Sequence, residues 1–322
     1  MKVIIQICAY NEAQNLKDTL TDLPRTIPGI DQIEILVVND GSSDNTAEIA
    51  EEFGVDHLLN LKVNQGLATA FRKGFRYALK QEADFIVNTD GDNQYSAACI
   101  IDLLSPLIKK EADIVIGERP IKTTAHFTPI KKGLQRFGSW IVSQLSNAHI
   151  PDAASGFRAF TREAAAQLNI HSDFTPTMEI LIQAGQRGMS IKSVQIKTNP
   201  PTRKSRLMRN TIEYVLRQTL TIISVYVIYQ PLRFFSRLSL IFLIPGVALL
   251  FRYLYYHFTE PVTGHVQSVV IGTMFISVAL LFWLIGLISN QIRNNRRFLE
   301  EIMSHVLQIE DQIKKQDDSV SS

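Results

Sequence analysis

Between Lys2 and about Leu207, short β-branched apolar runs alternate with segments whose apolar residues recur at helical spacing. Strands apolar on both faces, alternating with amphipathic helices, predict βαβ units and an α/β fold built on a mainly parallel sheet. Residues 3–8 form the first predicted strand, followed by the polar turn Ala9-Tyr10-Asn11-Glu12 and a helix to about Leu23. Residues 33–38 form the second, ending in Asn39-Asp40-Gly41-Ser42-Ser43-Asp44, with Ser43 or Asp44 as cap of a helix over residues 47–53. Asn64-Gln65-Gly66 opens a helix over residues 70–80, and further buried strands run into Asp90 and through residues 114–117. A helix is expected at residues 177–186 and an extended segment at 193–201.

After Arg206 the pattern changes. Residues 206–237 are amphipathic, interrupted by Pro231, and read as two helices lying in a membrane interface. Residues 238–292 contain two apolar spans, about 238–257 and 266–290, joined by a short polar link. Arg233 and Arg237 precede the first span, and Arg293, Arg296 and Arg297 follow the second. By the positive-inside rule, both ends face the cytoplasm. Residues 293–322 are a cytoplasmic tail, helical to about Lys315, which fits a partner contact and a solvated helix equally.

The net charge of +2 averages over these unlike regions, and the 46% hydrophobic content has its excess after about residue 238. No nucleic-acid partner is expected. Two cysteines, Cys8 and Cys99, fall in apolar segments and read as structural thiols of a reducing compartment. The amino terminus runs straight into a strand, so residues 1–205 are expected to remain in the cytosol.

The chemistry concentrates at Thr89-Asp90-Gly91-Asp92-Asn93-Gln94, where an apolar run delivers two carboxylates at its carboxyl end. Open α/β sheets bind ligands there. Two carboxylates so close repel unless a cation lies between them, and oxygen donors suit Mg²⁺ or Mn²⁺ completed by substrate phosphates. A polar turn accounts for the same residues taken alone. The loops at residues 9–12, 39–46 and 64–66 belong to the same rim, which makes a nucleotide site the better reading.

In their order, Ala9-Tyr10-Asn11-Glu12, Val38-Asn39-Asp40-Gly41-Ser42, Asn64-Gln65-Gly66, Asp90-Gly91-Asp92-Asn93-Gln94 and Asp152-Ala153-Ala154-Ser155-Gly156-Phe157-Arg158 resemble the family 2 glycosyltransferases of the GT-A fold. The closer resemblance is to polyprenyl-phosphate enzymes of the dolichyl-phosphate mannose synthase type. That family often has His where this chain has Tyr95. The resemblance implies a donor-nucleotide site of Ala9, Tyr10, Asn11, Glu12, Asp40, Gly41, Ser42, Gly66, Thr89, Asp90 and Gly91, with metal and diphosphate at Asp90, Asp92 and Gln94. It implies phosphate contacts from Arg119, Arg136, Ser139, Ser155, Arg203, Ser205 and Arg206, a donor-sugar contact from Glu179, and catalytic parts for Asp90, Asp92, Asp152, Arg119 and Arg203. Residues 120–132 are expected to form a mobile loop over the site.

The expected activity is inverting transfer of one sugar from a UDP- or GDP-linked donor to a polyprenyl monophosphate, in a membrane-bound protein that can form homo-oligomers. A processive polysaccharide synthase and a non-catalytic nucleotide-sugar-binding scaffold are the alternatives.

Overall fold

A computed structural model describes residues 1–120, 129–168, 176–199, 219–220, 223–259 and 266–320. The chain divides into two compact units, Met1–Ile222 and Ile223–Ser322.

The first unit is a three-layer α/β sandwich. Its strands are β1 (Lys2–Ala9), β2 (Gln32–Asn39), β3 (His57–Asn60), β4 (Phe85–Asp90), β5 (Ile114–Glu118), β6 (Arg158–Thr161) and β7 (Ile191–Gln195). They form one seven-stranded sheet in the order β3-β2-β1-β4-β6-β5-β7. Every pairing is parallel except those of β6, which runs antiparallel between β4 and β5. The mainly parallel expectation holds.

The helices are α1 (Leu16–Asp22), α2 (Thr46–Phe53), α3 (Leu67–Lys80), α4 (Ile100–Ile108), α5 (Pro129–Ser146), α6 (Arg162–Gln167) and α7 (Pro176–Gln186). Both sheet faces are covered because the central strands are mostly apolar on both sides, with buried Gln6 bonded to the Phe71 carbonyl and to Asn88. Val3, Ile5, Ile7, Val37 and Val87 pack with Leu16, Leu20, Ile100, Leu103 and Leu107 on one side. On the other, Ile4, Leu36, Ile86, Ile114 and Phe160 pack with Phe71, Phe75, Ala78 and Ile180. Helices α5 and α7 cross so closely that a Cβ on Gly185 would lie 2.0 Å from the Ser146 carbonyl oxygen.

Two boundaries differ from the sequence reading. Helix α5 begins at Pro129, earlier than the helical pattern suggests, because proline is well suited to the first helical turn. Residues 121–128, the centre of the expected mobile loop, lie outside the described residues, as does most of the stretch read as interfacial helices.

The second unit contains helices α8 (Pro231–Thr259) and α9 (Val266–Val320). Pro231, read as a break, opens α8, so residues 231–237 belong to the same helix as the first apolar span. The segments Pro231–Thr259 and Val266–Arg296 are each long and apolar enough to cross a bilayer. They pack as a hairpin through small residues: a Cβ on Gly246 would lie 3.0 Å from the Gly272 carbonyl oxygen. The Ser239 hydroxyl donates to the Ala279 carbonyl at 2.7 Å. Helix α9 continues without interruption to Val320, beyond the expected end of the tail helix.

Candidate active site

The carboxyl ends of β1, β2 and β4 meet at one rim, because Cys8 is in register with Asp90 and Ala9 with Asn39. The loops beyond them are sewn together by side chain to backbone bonds. Asn11, in the left-handed conformation at φ 54°, accepts from the Ser43 N–H at 2.8 Å, while its own N–H donates to the Ser42 hydroxyl at 2.9 Å. The Glu12 N–H donates to Thr46 Oγ1 at 2.9 Å, and Asp44 accepts from the Thr46 N–H at 3.1 Å. Asp44, one of the two expected caps, therefore serves the start of α2.

The Asp40 carboxylate is buried and accepts from the Gln65 N–H at 2.8 Å and the Gly66 N–H at 2.9 Å. It latches the third loop onto the second. Gly41 is required where these loops touch: its φ is +67°, and a Cβ there would lie 2.4 Å from the Val63 carbonyl carbon. Ala9, Glu12, Thr89 and Gly91 are buried at the rim, whereas Tyr10 is exposed.

Asp90 stands at the end of β4, the centre of the sheet, and is partly exposed. Among the described residues none hydrogen-bonds to its carboxylate. Burial, followed by the neighbouring Asp92 charge, pushes its pKa up to about 7, although the Arg119 and Arg158 cations act the other way. A Cβ on Gly156 would lie 3.2 Å from both Asp90 carboxylate oxygens, so the absence of a side chain there keeps the carboxylate open.

The loop after β4 is fixed by chain distant in sequence. Asp92 Oδ1 accepts from the Gln94 N–H at 3.2 Å, and the Gln94 carbonyl accepts from the Asn199 N–H at 2.9 Å. The Asn199 side chain donates to the Asn93 carbonyl at 2.9 Å. Tyr95 is buried, stacks on Phe157 at 5.1 Å, and accepts from the Gly156 N–H at 3.2 Å. Asn88 Nδ2 donates to the Gly156 carbonyl at 2.8 Å. Gly156 is thereby pinned on both sides.

Arg119 and Asp152 form a second charged pair. Arg119 Nε and Nη2 donate to Asp152 Oδ2 and Oδ1 at 2.7 and 2.9 Å, a two-bond fork in which the Asp152 side chain is 1% exposed. Burial works against the Arg119 charge, but the bonds to Asp152 outweigh it and raise its pKa. Asp152 therefore meets Arg119 with both oxygens. The Ser139 hydroxyl, from α5, accepts from the Ala153 N–H at 3.0 Å. Ser155 is buried, and its hydroxyl has no partner among the described residues. Glu179 is buried in α7 and accepts from Gln183 at 3.3 Å. Arg136 is exposed on α5, and no bond to another described residue ties it to this cluster. Arg203, Ser205 and Arg206 lie outside the described residues.

Sequence reasoning gave no role to Arg158, Tyr95, Asn88 or Asn199. Arg158 is fully buried: Nη2 donates to the Ala153 carbonyl at 2.9 Å and Nη1 to the Thr177 carbonyl. Burial lowers its pKa to about 10. Its signal was present as the last residue of Ser155-Gly156-Phe157-Arg158. The other three act through pairings between distant segments, which a single sequence does not display.

Cys8 and Cys99 are free thiols, and burial pushes Cys8 up to about 12. The inert, structural reading of that thiol fits.

Residues 4–168 match the profile of glycosyl transferase family 2. The chain is 28% identical over 218 residues to the UDP-N-acetylglucosamine–dolichyl-phosphate N-acetylglucosaminyltransferase of Methanococcus voltae, covering 61% of this chain and 85% of that protein. It is 28% identical over 176 residues to the undecaprenyl-phosphate mannosyltransferase of Micrococcus luteus, covering 53% and 70%. Its fold is that of glucosyl-3-phosphoglycerate synthase from Mycobacterium tuberculosis, solved with Mn²⁺, UDP and glucosyl-3-phosphoglycerate, at a TM-score of 0.53 and 16% identity over 70% of this chain and 78% of that one. The rim architecture and the match across the sheet domain agree: the chain belongs to glycosyl transferase family 2 and is a glycosyltransferase.

Proposed function

We propose that the protein moves a single sugar from a nucleotide diphosphate donor to the monophosphate of a polyprenol, at the cytoplasmic face of a membrane that it spans twice. The two relatives named above use different sugars but share a polyprenyl phosphate acceptor, which supports the acceptor class and leaves the sugar and the donor base open. Two apolar helices after the catalytic domain suit a lipid acceptor.

One observation carries the reading of the donor site. A carboxylate at the end of the central strand has no described hydrogen-bond partner, a second carboxylate two residues on, and a proton affinity raised to about 7. Among the described residues no three acidic, histidine or cysteine side chains form a closed metal cage. A pair of carboxylates with open space suits Mg²⁺ or Mn²⁺, which keep positions for substrate phosphates. Asp90 and Asp92, with Gln94, would hold that ion, and when bound it would offset charge developing on the departing diphosphate.

The chain's own residues do the rest. Tyr10, Asn11, Glu12, Gly41, Ser42, Thr89 and Gly91 line the nucleotide, while Asp40 holds the Gln65–Gly66 turn against it. Arg119 faces the phosphates, and Asp152 is a positioning residue that fixes its guanidinium. Ser155 offers its uncommitted hydroxyl to a phosphate, and Glu179 meets the donor sugar. Arg203, Ser205 and Arg206, in the basic segment that follows Asn199 in the sequence, meet the donor and acceptor phosphates in this reading. A phosphate acceptor is already an anion at neutral pH, so no strong general base is needed. His57, at the start of β3, is bonded to Glu34 and Tyr77 and pairs with Leu36, three residues back from the rim end of β2. Attack opposite the leaving group inverts the anomeric configuration.

The test is purified protein with radiolabelled UDP- and GDP-sugars, polyprenyl phosphate and Mg²⁺ or Mn²⁺. A lipid-linked monosaccharide is expected. A growing polymer, or no product with any donor, overturns the proposal.

A further inference from the structure

Gln6 lies in the middle of β1, between Ile5 and Ile7, and is fully buried. Packing alone would put an apolar residue there, and the fold makes two concessions to the amide. Gln6 Oε1 has no partner among the described residues, which costs free energy in a core. Helix α3 carries Gly74 opposite it, where a Cβ would lie 2.8 Å from Gln6 Cδ and 2.6 Å from Val38 Cγ2. A glycine inside a helix weakens it.

What Gln6 provides is a pair of donor protons. Its Nε2 donates to the Phe71 carbonyl of α3 at 3.2 Å and to Asn88 Oδ1 at 3.3 Å. Asn88, two residues before Asp90 on β4, donates in turn through Nδ2 to the Gly156 carbonyl at 2.8 Å. Both ends of this chain of bonds are carbonyls, which can only accept, and that sets its direction. The Phe71 carbonyl takes one Gln6 proton, so the amide nitrogen faces that way and its second proton meets Asn88. Asn88 then shows its oxygen to Gln6 and its nitrogen to Gly156. Turned over, it would set nitrogen against nitrogen and oxygen against oxygen.

We infer that Gln6 is a positioning residue of the transfer site: it fixes the Asn88 amide, and through it the Gly156 peptide that walls the Asp90 carboxylate. Gly156 stands so close that a Cβ there would lie 3.2 Å from both Asp90 oxygens, so a shift of that peptide moves the surface against which the carboxylate turns. Helix α3 begins after the Gly66 turn held by Asp40, so the same buried amide ties the nucleotide side of the rim to its acidic side. The inference rests on the metal reading of Asp90 given above.

The test needs no turnover. The full chain in mild detergent, with UDP, is titrated with Mn²⁺, and free Mn²⁺ is read by electron paramagnetic resonance. Gln6→Met and Gln6→Leu keep the bulk and remove both donors; each should bind Mn²⁺ about tenfold more weakly, the low end for a group that orients a metal site at second hand. Asn88→Leu should lose at least as much. Gln6→Leu/Asn88→Leu should lose no more than Asn88→Leu alone, because Gln6 acts through Asn88. Thermal unfolding in chelator reports that each variant is folded, and a residue that only fills space would move that temperature and not the affinity. Folded Gln6 variants within about twofold of the parent's affinity, additive losses in the double variant, or parent-like affinity in Asn88→Leu overturn the inference and leave the metal reading standing. A parent chain that binds no Mn²⁺ overturns the metal reading at Asp90, and this inference with it.

Discussion

Two aspartates on either side of Gly156 live under opposite rules. Asp152, four residues before that glycine, is buried and gives both carboxylate oxygens to Arg119. Asp90, whose oxygens lie 3.2 Å from where a Gly156 Cβ would be, has no described hydrogen-bond partner, and its proton is held up to about pH 7. A satisfied carboxylate has a settled charge and can only orient what it touches. An unsatisfied one beside a second carboxylate costs free energy until something positive arrives. On the proposed function, the fold uses the same side chain once to aim a cation of its own and once to leave room for a cation from solution.

If that division is right, removing the charge at each position should produce different failures. Asp90→Asn keeps the shape but removes a charge from the proposed metal site, and transfer should fall on the order of 10³-fold, comparable to losing a central electrostatic contact in other enzymes. Initial rates with saturating donor measure this, and a fall of less than tenfold would remove Asp90 from the chemistry. Asp152→Ala should instead act first on stability. It leaves the Arg119 guanidinium in a largely buried place without its partner, at a cost of about 3–5 kcal/mol. Thermal unfolding of the purified protein reads the loss; an unfolding temperature within a degree of the parent's would mean that the fork contributes little.

Part of the strand and helix order of the sheet domain was legible because it is written in local patterns: β1, β2, β4 and β5 are short apolar runs ended by polar loops, whereas α4 and α6 were not read. β3 was not, because His57-Leu58-Leu59-Asn60 is too short to show a period. β6 was hidden for another reason. Arg158 begins it, and a buried arginine contradicts every local rule for a central strand. It is tolerated because the Ala153 and Thr177 carbonyls accept its protons. Asp40 and Asp152 show what local order leaves out. Sequence order marks both as site residues, but only the fold shows Asp40 occupied by two backbone N–H groups and Asp152 by Arg119.

A third experiment sharpens the comparison without any substrate. The Asp90 pKa is raised from 3.8 to about 7 in the folded protein, so between those values the native state holds a proton that the unfolded chain has released. Stability therefore falls as pH rises through that window, and the cost is complete above it. The full difference corresponds to about 4 kcal/mol, but partial solvent access to Asp90 reduces the expected value to about 1–2 kcal/mol. In chelator, Asp90→Asn should thus be more stable than the parent at pH 8 by that amount, with the gap closing towards pH 4. Denaturant titrations at the two pH values give the answer. An equal gap at both would show that the substitution acts through packing and not through charge.

The smallest effect concerns how Gly156 is kept beside Asp90. Tyr95 contributes a hydroxyl that accepts the Gly156 N–H and a ring that stacks on Phe157 at an interplanar angle of 15°. Tyr95→Phe removes the first and keeps the second, leaving one buried N–H unpaired at a cost of about 1 kcal/mol. Tyr95→Leu removes both and should cost more, because the aromatic pair contributes about 0.5–1.5 kcal/mol beyond its buried area. Asn88 still holds the Gly156 carbonyl in either variant, so transfer should fall by less than tenfold while the turn stays in place. Equal losses in the two variants would assign the role to the hydroxyl alone; a Phe variant indistinguishable from the parent would assign it to the ring, and the aspartate's open side would then depend on Asn88 alone.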